Sequence, residues 1–402
     1  MKRVIAIAVA AAACAAALPA AACADDARRN SKYTITAAYD GANTVTGSVK
    51  LDYVNEGDDA PETLEFNLWG NAWREGALFP AAGEGNDAFY DGTSYGRMEI
   101  TAVEGGQWRI CGEDENILEV DTGAIYPRES ASVEIEFTLT LANADARTGV
   151  AERAVNLGNF YPVLCASGPQ GWIEHTHAAA GDPFVSDVAD YEVSLTVPEE
   201  YVIAASGERE DETVQNGTKT CTYTLANARD FAAVLSKEYS VKSLVSEGGT
   251  AVEYYCYNDE GADELLEIAA KAVDFFEEKF APYPHSRYVM AQTGLCEGGM
   301  EYPALAMISD ELEKNDALYA AVHEAAHQWW YAVVGSDGYE NAWQDEGLAE
   351  YSALMFFESA PEYGITRTGL LNSATKAYRA YFSAYGQLFG GADTSMARPL
   401  DG

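Results

Sequence analysis

From about residue 31 to residue 245, apolar and polar positions alternate. Val49, Leu51 and Tyr53 alternate with Ser48, Lys50 and Asp52. Val133, Ile135, Phe137, Leu139 and Leu141 alternate with Glu134, Glu136, Thr138 and Thr140, and Tyr191, Val193, Leu195 and Val197 with Glu192, Ser194 and Thr196. A period of two gives each segment one face for a core and one for water, which predicts half-buried, mostly antiparallel strands. Turn clusters such as Glu56-Gly57-Asp58-Asp59 and Gln215-Asn216-Gly217 separate them. Near Gly261 the period changes. Leu265, Leu266, Ile268, Ala269, Ala272, Val273, Phe276 and Phe280 follow helical spacing until Pro282 and Pro284 stop it. A second helix is predicted over residues 315–334, with Asn315 or Asp316 as N-cap and Gly335 at its end. A third is predicted over about 343–357 and a fourth over about 366–388, while residues 288–291 and 304–308 read as short strands. The pattern predicts a multidomain chain, β then α+β: an N-terminal antiparallel β-domain over residues 25–248, then a mainly helical domain with a small sheet over 249–402.

The N-terminus changes the picture of where the protein works. Lys2 and Arg3 precede a run over residues 4–22 that is nearly all Ala, Val, Ile and Leu, and Cys23-Ala24-Asp25-Asp26 then turns polar. This is the layout of a signal peptide over residues 1–24. Two cuts stay open. One before Cys23 would leave a lipid anchor on that cysteine in a bacterial cell envelope, and one after Ala24 would release a secreted protein. An uncleaved anchor is a third reading. The 402 residues hold 25 basic and 64 acidic side chains, a net charge of −39. That charge repels nucleic acid, which is not an expected partner, and anionic membrane surfaces. Cys111, Cys165, Cys221, Cys256 and Cys296 are odd in number and lack close Cys-x-x-Cys spacing, which argues against a zinc knuckle or redox motif and favours small buried residues.

The candidate chemistry lies in the second predicted helix, at His323-Glu324-Ala325-Ala326-His327. Four helical residues turn the chain by about 400°, so both imidazoles share one face and can reach one cation. Glu324, one step along, lies at the edge of the same cleft, where it can touch a water without ligating. Catalytic zinc takes three protein ligands and keeps a position open, and two His with one Glu is an established set. Glu346, nineteen positions after His327 in the next helix, is the candidate third ligand. Asp345 and Glu350 are candidates to orient the ligands from behind. Upstream, Gly298-Gly299-Met300-Glu301 offers two glycines that permit close backbone approach by a peptide, and an acid for a free amino terminus. Glu174-His175-Thr176-His177 is a weaker second candidate for metal, since no third ligand is evident.

His323-Glu324-x-x-His327, eighteen residues, then Glu346 within Asp-Glu-Gly-Leu-Ala, all preceded by Gly-Gly-Met-Glu301, resembles the gluzincin aminopeptidases, the family of aminopeptidase N and the leukotriene hydrolases. Asn67-Leu68-Trp69-Gly70-Asn71-Ala72 and Arg229-Asp230-Phe231-Ala232 resemble segments of that family's first domain. The resemblance implies a saddle-like β-domain followed by a thermolysin-like catalytic domain. It implies one zinc ion on His323, His327 and Glu346, with Glu324 as general base. It also implies that Glu301, with Gly298, Gly299 and Met300, holds peptides by their free amino termini. Two departures accompany it. Tyr302 stands where the family has Asn, which unsettles the first subsite. The family's oxyanion-stabilising Tyr is not found in its usual setting, although Tyr378, Tyr381 and Tyr385 are present, so the chain is expected to be truncated before that residue. The alternative is an envelope-tethered peptide-binding protein that keeps the zinc scaffold with little or no catalysis.

Overall fold

The computed structural model describes residues 30–178, 181–257, 260–389 and 399–400. The basic start, the apolar run and Cys23 lie outside the described residues. Among those described, no helix is long and apolar enough to cross a membrane.

The alternating segments form a seven-stranded sheet in the order Glu208–Gln215, Thr218–Ala228, Ala189–Pro198, Ser31–Tyr39, Thr44–Val54, Ser130–Thr140 and Arg97–Glu104. Register follows the hydrophobic pattern. Val193 pairs with Ile35, Ile35 with Val49 and Val49 with Ile135, so four strands place one row of fully buried side chains on the same face. One pair departs from the antiparallel expectation: Ser31–Tyr39 runs parallel to Ala189–Pro198. Period two reports only which face a residue takes, so it does not distinguish the two directions. Gly47 sits opposite Phe137, where an added Cβ would lie 3.0 Å from the phenyl ring, so the ring occupies the space a side chain would need.

The second part is built on a five-stranded sheet in the order Ser240–Val245, Ala251–Cys256, Arg287–Thr293, Leu305–Ser309 and Gly299–Met300. Its three inner strands run parallel, and the first of them is joined to the second by helix α1, Ala262–Lys279. Alternate residues of this sheet enter two different cores. Tyr254, Tyr288, Met290, Ala306 and Ile308 pack on the helices. Tyr255, Val289, Ala291, Leu305 and Met307 pack on Ala204, Ala232 and Val234 of the first part. Burial on both faces is why 288–291 and 304–308 read as unbroken apolar runs.

Helix α2 is Lys314–His327, shorter than the predicted span, and its N-cap is Glu313, so Asn315 and Asp316 fall in its first turn. It ends early because the Trp330 carbonyl turns to His327 Nδ1, 3.1 Å away, and the following turns close five residues apart, Ala332 to His327 and Val334 to Trp329. Helix α3, Gly338–Ser359, starts earlier than expected. Asp337 caps it by accepting from the Tyr339 and Glu340 amides, but a kink at Asn341 separates that first turn from the regular helix. Helix α4 is Arg367–Phe389. Ala349, Ala353, Phe356 and Phe357 of α3 and Leu318, Ala321, Val322 and Ala325 of α2 pack together in the helical core. No disulfide forms among the described cysteines, and Cys165, Cys221 and Cys256 are buried.

Candidate active site

The cavity between the two parts measures about 620 Å³. The helical part contributes one stripe of α2, namely Asp316, Tyr319, Ala320, His323, Glu324 and His327, together with Glu346 and Glu350 of α3. Gly298, Gly299, Met300 and Glu301 form the rim along the outermost strand of the five-stranded sheet. The β part closes the opposite wall with Trp69, Trp73, Arg147, His177, Asp182 and Phe184.

His323 Nε2 and His327 Nε2 lie 3.0 Å apart, and Glu346 Oε2 is 3.3 Å from the first and 3.9 Å from the second. Three donors bonded to one cation at about 2.0–2.2 Å in a tetrahedral site stand roughly 3.3–3.6 Å from one another. The observed triangle is close to that size, so the donor set fits zinc without rearrangement of the helices. His327 is fixed from behind: its Nδ1 is 2.7 Å from Asp345 Oδ1, which leaves Nε2 facing the cavity. Glu350 has a different partner. One turn beyond Glu346, it accepts a hydrogen bond from the Tyr319 hydroxyl.

Glu324 is 5% exposed, and its Oε2 has no protein partner. Burial pushes its carboxyl up to about 7, against the opposing pull of His323 and His327. Its side chain lies against the backbone of Gly299: a Cβ there would stand 2.5 Å from Glu324 Cδ and 2.6 Å from Cγ. Glu301 is 4% exposed, and its donor atoms lie within 4.8 Å of those of His327 and Asp345. Burial raises its carboxyl well above the usual range, with the His327 charge opposing. Burial also works against ionisation of Glu346, but the hydrogen bond from His323 and the two imidazoles outweigh it and hold that carboxyl low.

Several cavity residues carried no signal in the sequence. Arg147 forms an ion pair with Asp182 and stacks over Phe184, with its guanidinium carbon 4.6 Å from the ring centroid. No motif surrounds these residues, and only the chain's return to the cleft brings them together. Tyr302 turns away from the cavity. Its hydroxyl donates to Asn159 Oδ1 at 2.9 Å, while Asn159 and Tyr161 both donate to buried Asp230. Tyr302 therefore joins the sheet edge to the β part instead of lining the first subsite. His175 binds the Asp337 carboxylate at 3.0 Å and stacks on Tyr339, so it anchors the start of α3. His177 lines the cavity with its Nδ1 unpartnered, and burial lowers its pKa to about 4. Neither belongs to a metal-competent cluster among the described residues.

No protein-family model matches the chain. Aminopeptidase M1-B of Oryza sativa subsp. japonica is 28% identical over 210 residues, which is 48% of this chain and 24% of that protein. Endoplasmic reticulum aminopeptidase 1 of Homo sapiens is 28% identical over 139 residues, 31% of this chain and 15% of that protein. The chain is similar to M1 aminopeptidases over these residues. Its match spans about a quarter of the length of the first of these curated relatives. Among solved structures, a mutant of the M1 zinc metallopeptidase of Deinococcus radiodurans superposes with a TM-score of 0.58 at 18% identity, covering 93% of this chain and 77% of that one. The same protein bound to a Tyr-ser-ala substrate gives 0.55 at 18% identity, covering 90% and 75%. At that identity the likeness is one of fold: a β-rich first part and a helical second part.

Proposed function

We propose that this protein is a zinc-dependent aminopeptidase that hydrolyses the first peptide bond of peptides with a free amino terminus. The second part is then a thermolysin-like catalytic domain that takes in the edge strand Ser240–Val245 ahead of residues 249–402, and the β-domain ends before that strand instead of at 248. The observation that carries the reading is the meeting of His323, His327 and Glu346 around one point, with an unpartnered buried Glu324 beside them. Those three side chains would hold one zinc ion, which when bound acidifies a water to a pKa near 7 and polarises the carbonyl it faces.

The chain's own groups supply the rest. Glu324 takes the proton of the attacking water and returns it to the departing amine, a shuttle suited to a carboxyl lifted toward neutrality. Asp345 keeps the His327 proton on Nδ1 and leaves Nε2 free to ligate. Glu301 pairs with the substrate's amino group, which limits cleavage to one residue at a time. The outer strand at Gly299–Met300 is free on one side to align an extended peptide.

Replacing Glu324 with Gln keeps the zinc ligands and removes the base. The variant is expected to bind zinc at one per chain and to lose hydrolysis of an aminoacyl chromogenic amide, and near-normal turnover would end the assignment. Acetylating the substrate's amino group separates an aminopeptidase, which loses it as substrate, from an endopeptidase, which does not. A second reading, an envelope-tethered binder with little catalysis, draws on one observation: Tyr319, the one phenol lining the cavity among the described residues, has its hydroxyl engaged by Glu350. Either reading keeps export, with release or a lipid tether at Cys23.

A further inference from the structure

The cavity has two chemically different ends. Glu301 lies with His327 and Asp345, so a substrate amine held by Glu301 sits toward the C-terminal end of α2. The cavity's only lysine or arginine among the described residues, Arg147, is on that side: its partner Asp182 has donor atoms within 4.8 Å of those of Glu301 and Glu346. The opposite end follows α2 toward its N-terminus. Tyr319 is one turn before His323, and Asp316 is about one turn before Tyr319, on the same stripe. Glu350 projects into this end from α3, with its carboxylate held by the Tyr319 hydroxyl, and Leu312 and Ala320 supply apolar wall beside it.

The direction of the peptide follows from these positions. With its amine at Glu301 and its first carbonyl at the His323, His327 and Glu346 donors, the departing portion runs past Tyr319. One helical turn is about 5.4 Å and an extended residue advances about 3.3 Å, so the second side chain falls within reach of Glu350. The unpartnered, nine-tenths buried Glu324 carboxylate faces the same cavity and marks where that bond lies.

We propose that Glu350, positioned by Tyr319 and reinforced by Asp316, selects peptides with a basic second residue and disfavours those with an acidic one. A lysine or arginine there lays its aliphatic stem on Leu312 and Ala320 and brings its cation to the carboxylates. An acidic side chain, or the carboxylate of a bare dipeptide, meets like charge. The inference rests on the aminopeptidase reading for the direction of the substrate.

The test uses the full chain loaded with zinc and three peptides: alanyl-lysyl-alanine, alanyl-alanyl-alanine and alanyl-glutamyl-alanine. Binding is measured by calorimetry on the Glu324→Gln variant, and alanine release is measured on the wild type. The lysyl peptide should bind about tenfold or more tighter than the glutamyl peptide. The difference should lie in KM more than in kcat and should shrink in 0.5 M salt. Glu350→Gln keeps an oxygen for the Tyr319 hydroxyl and removes only charge, so the lysyl/glutamyl ratio should fall several-fold, and Asp316→Asn should lower it independently. Equal binding of the two peptides, or a ratio unchanged in both variants, would overturn the subsite. A lysyl preference in binding with no hydrolysis of any peptide would overturn the peptidase reading and leave the subsite standing. Hydrolysis of all three with equal kcat/KM would do the reverse.

Discussion

Gly299→Ala tests the placement of the base without touching a metal ligand. The three atoms nearest to a Cβ at this position all belong to Glu324, with Cδ at 2.5 Å and Cγ at 2.6 Å. Carbon atoms in contact prefer about 3.5–4.0 Å, so the carboxyl must retreat by about 1 Å. The backbone of Gly299 is not in the left-handed region, so alanine adds no dihedral strain there. The ladder from Gly299 to Ile308 uses main-chain groups that alanine keeps. A 1 Å misplacement at a reacting centre costs on the order of 10²-fold in rate, or ~2.7 kcal/mol of barrier. The expected result is a kcat about a hundredfold lower on an aminoacyl anilide, with one zinc per chain by metal analysis and a melting temperature close to wild type. Serine should behave like alanine. Wild-type kcat in Gly299→Ala would refute the claim that Glu324 works from the position it holds against that backbone.

Three further outcomes follow from individual contacts. Asp345→Ala removes the carboxylate behind His327 and should weaken zinc binding about 10–100-fold in a competition titration with a chromogenic chelator, with the fold retained by circular dichroism. Tyr302→Phe leaves buried Asn159 Oδ1 without its donor and should lower stability by about 1–3 kcal/mol in urea unfolding. Glu65, beside Glu174, has its carboxyl pushed up to about 7 by burial and then by that neighbour. Between the unfolded value near 4.5 and about 7 the folded chain holds a proton that the unfolded chain releases, so this group's contribution to stability falls as pH rises through that window. Glu65→Gln should therefore be more stable than wild type at pH 8 and lose part of the decline between pH 5 and 8, and an unchanged decline would contradict it.

The strands of the first sheet were legible because one face is wet: Ile35, Val49, Ile135 and Val193 are buried and their neighbours are not. The five-stranded sheet was only half legible. Its inner strands are covered on both faces and show little alternation, while the edge strand 240–245 does alternate and so reads as a continuation of the β-domain. The His323, His327 and Glu346 donors were readable because helical spacing fixes the first two and a short reversal supplies the third. Arg147, Asp182 and Phe184 were not, since each comes from a loop or short strand with no periodic neighbours and acquires its place only through contacts across the chain. Tyr302 misled for a related reason. Sequence placed it beside Glu301, but the edge strand ends at Met300 and the Tyr302 side chain reaches Asn159 in the β part. The end of α2 was missed because a side-chain interaction, His327 with the Trp330 carbonyl, overrides a run of residues that is otherwise compatible with helix.

In the proposed mechanism two imidazoles and one carboxylate share a metal. Crystals grown with zinc and measured on both sides of the zinc absorption edge test it most directly. A single strong anomalous peak is expected about 2.0–2.2 Å from His323 Nε2, His327 Nε2 and a Glu346 carboxylate oxygen, lost in a His323→Ala crystal. A peak bound elsewhere, or none at this triad in a chain that nevertheless cleaves peptides, would contradict it.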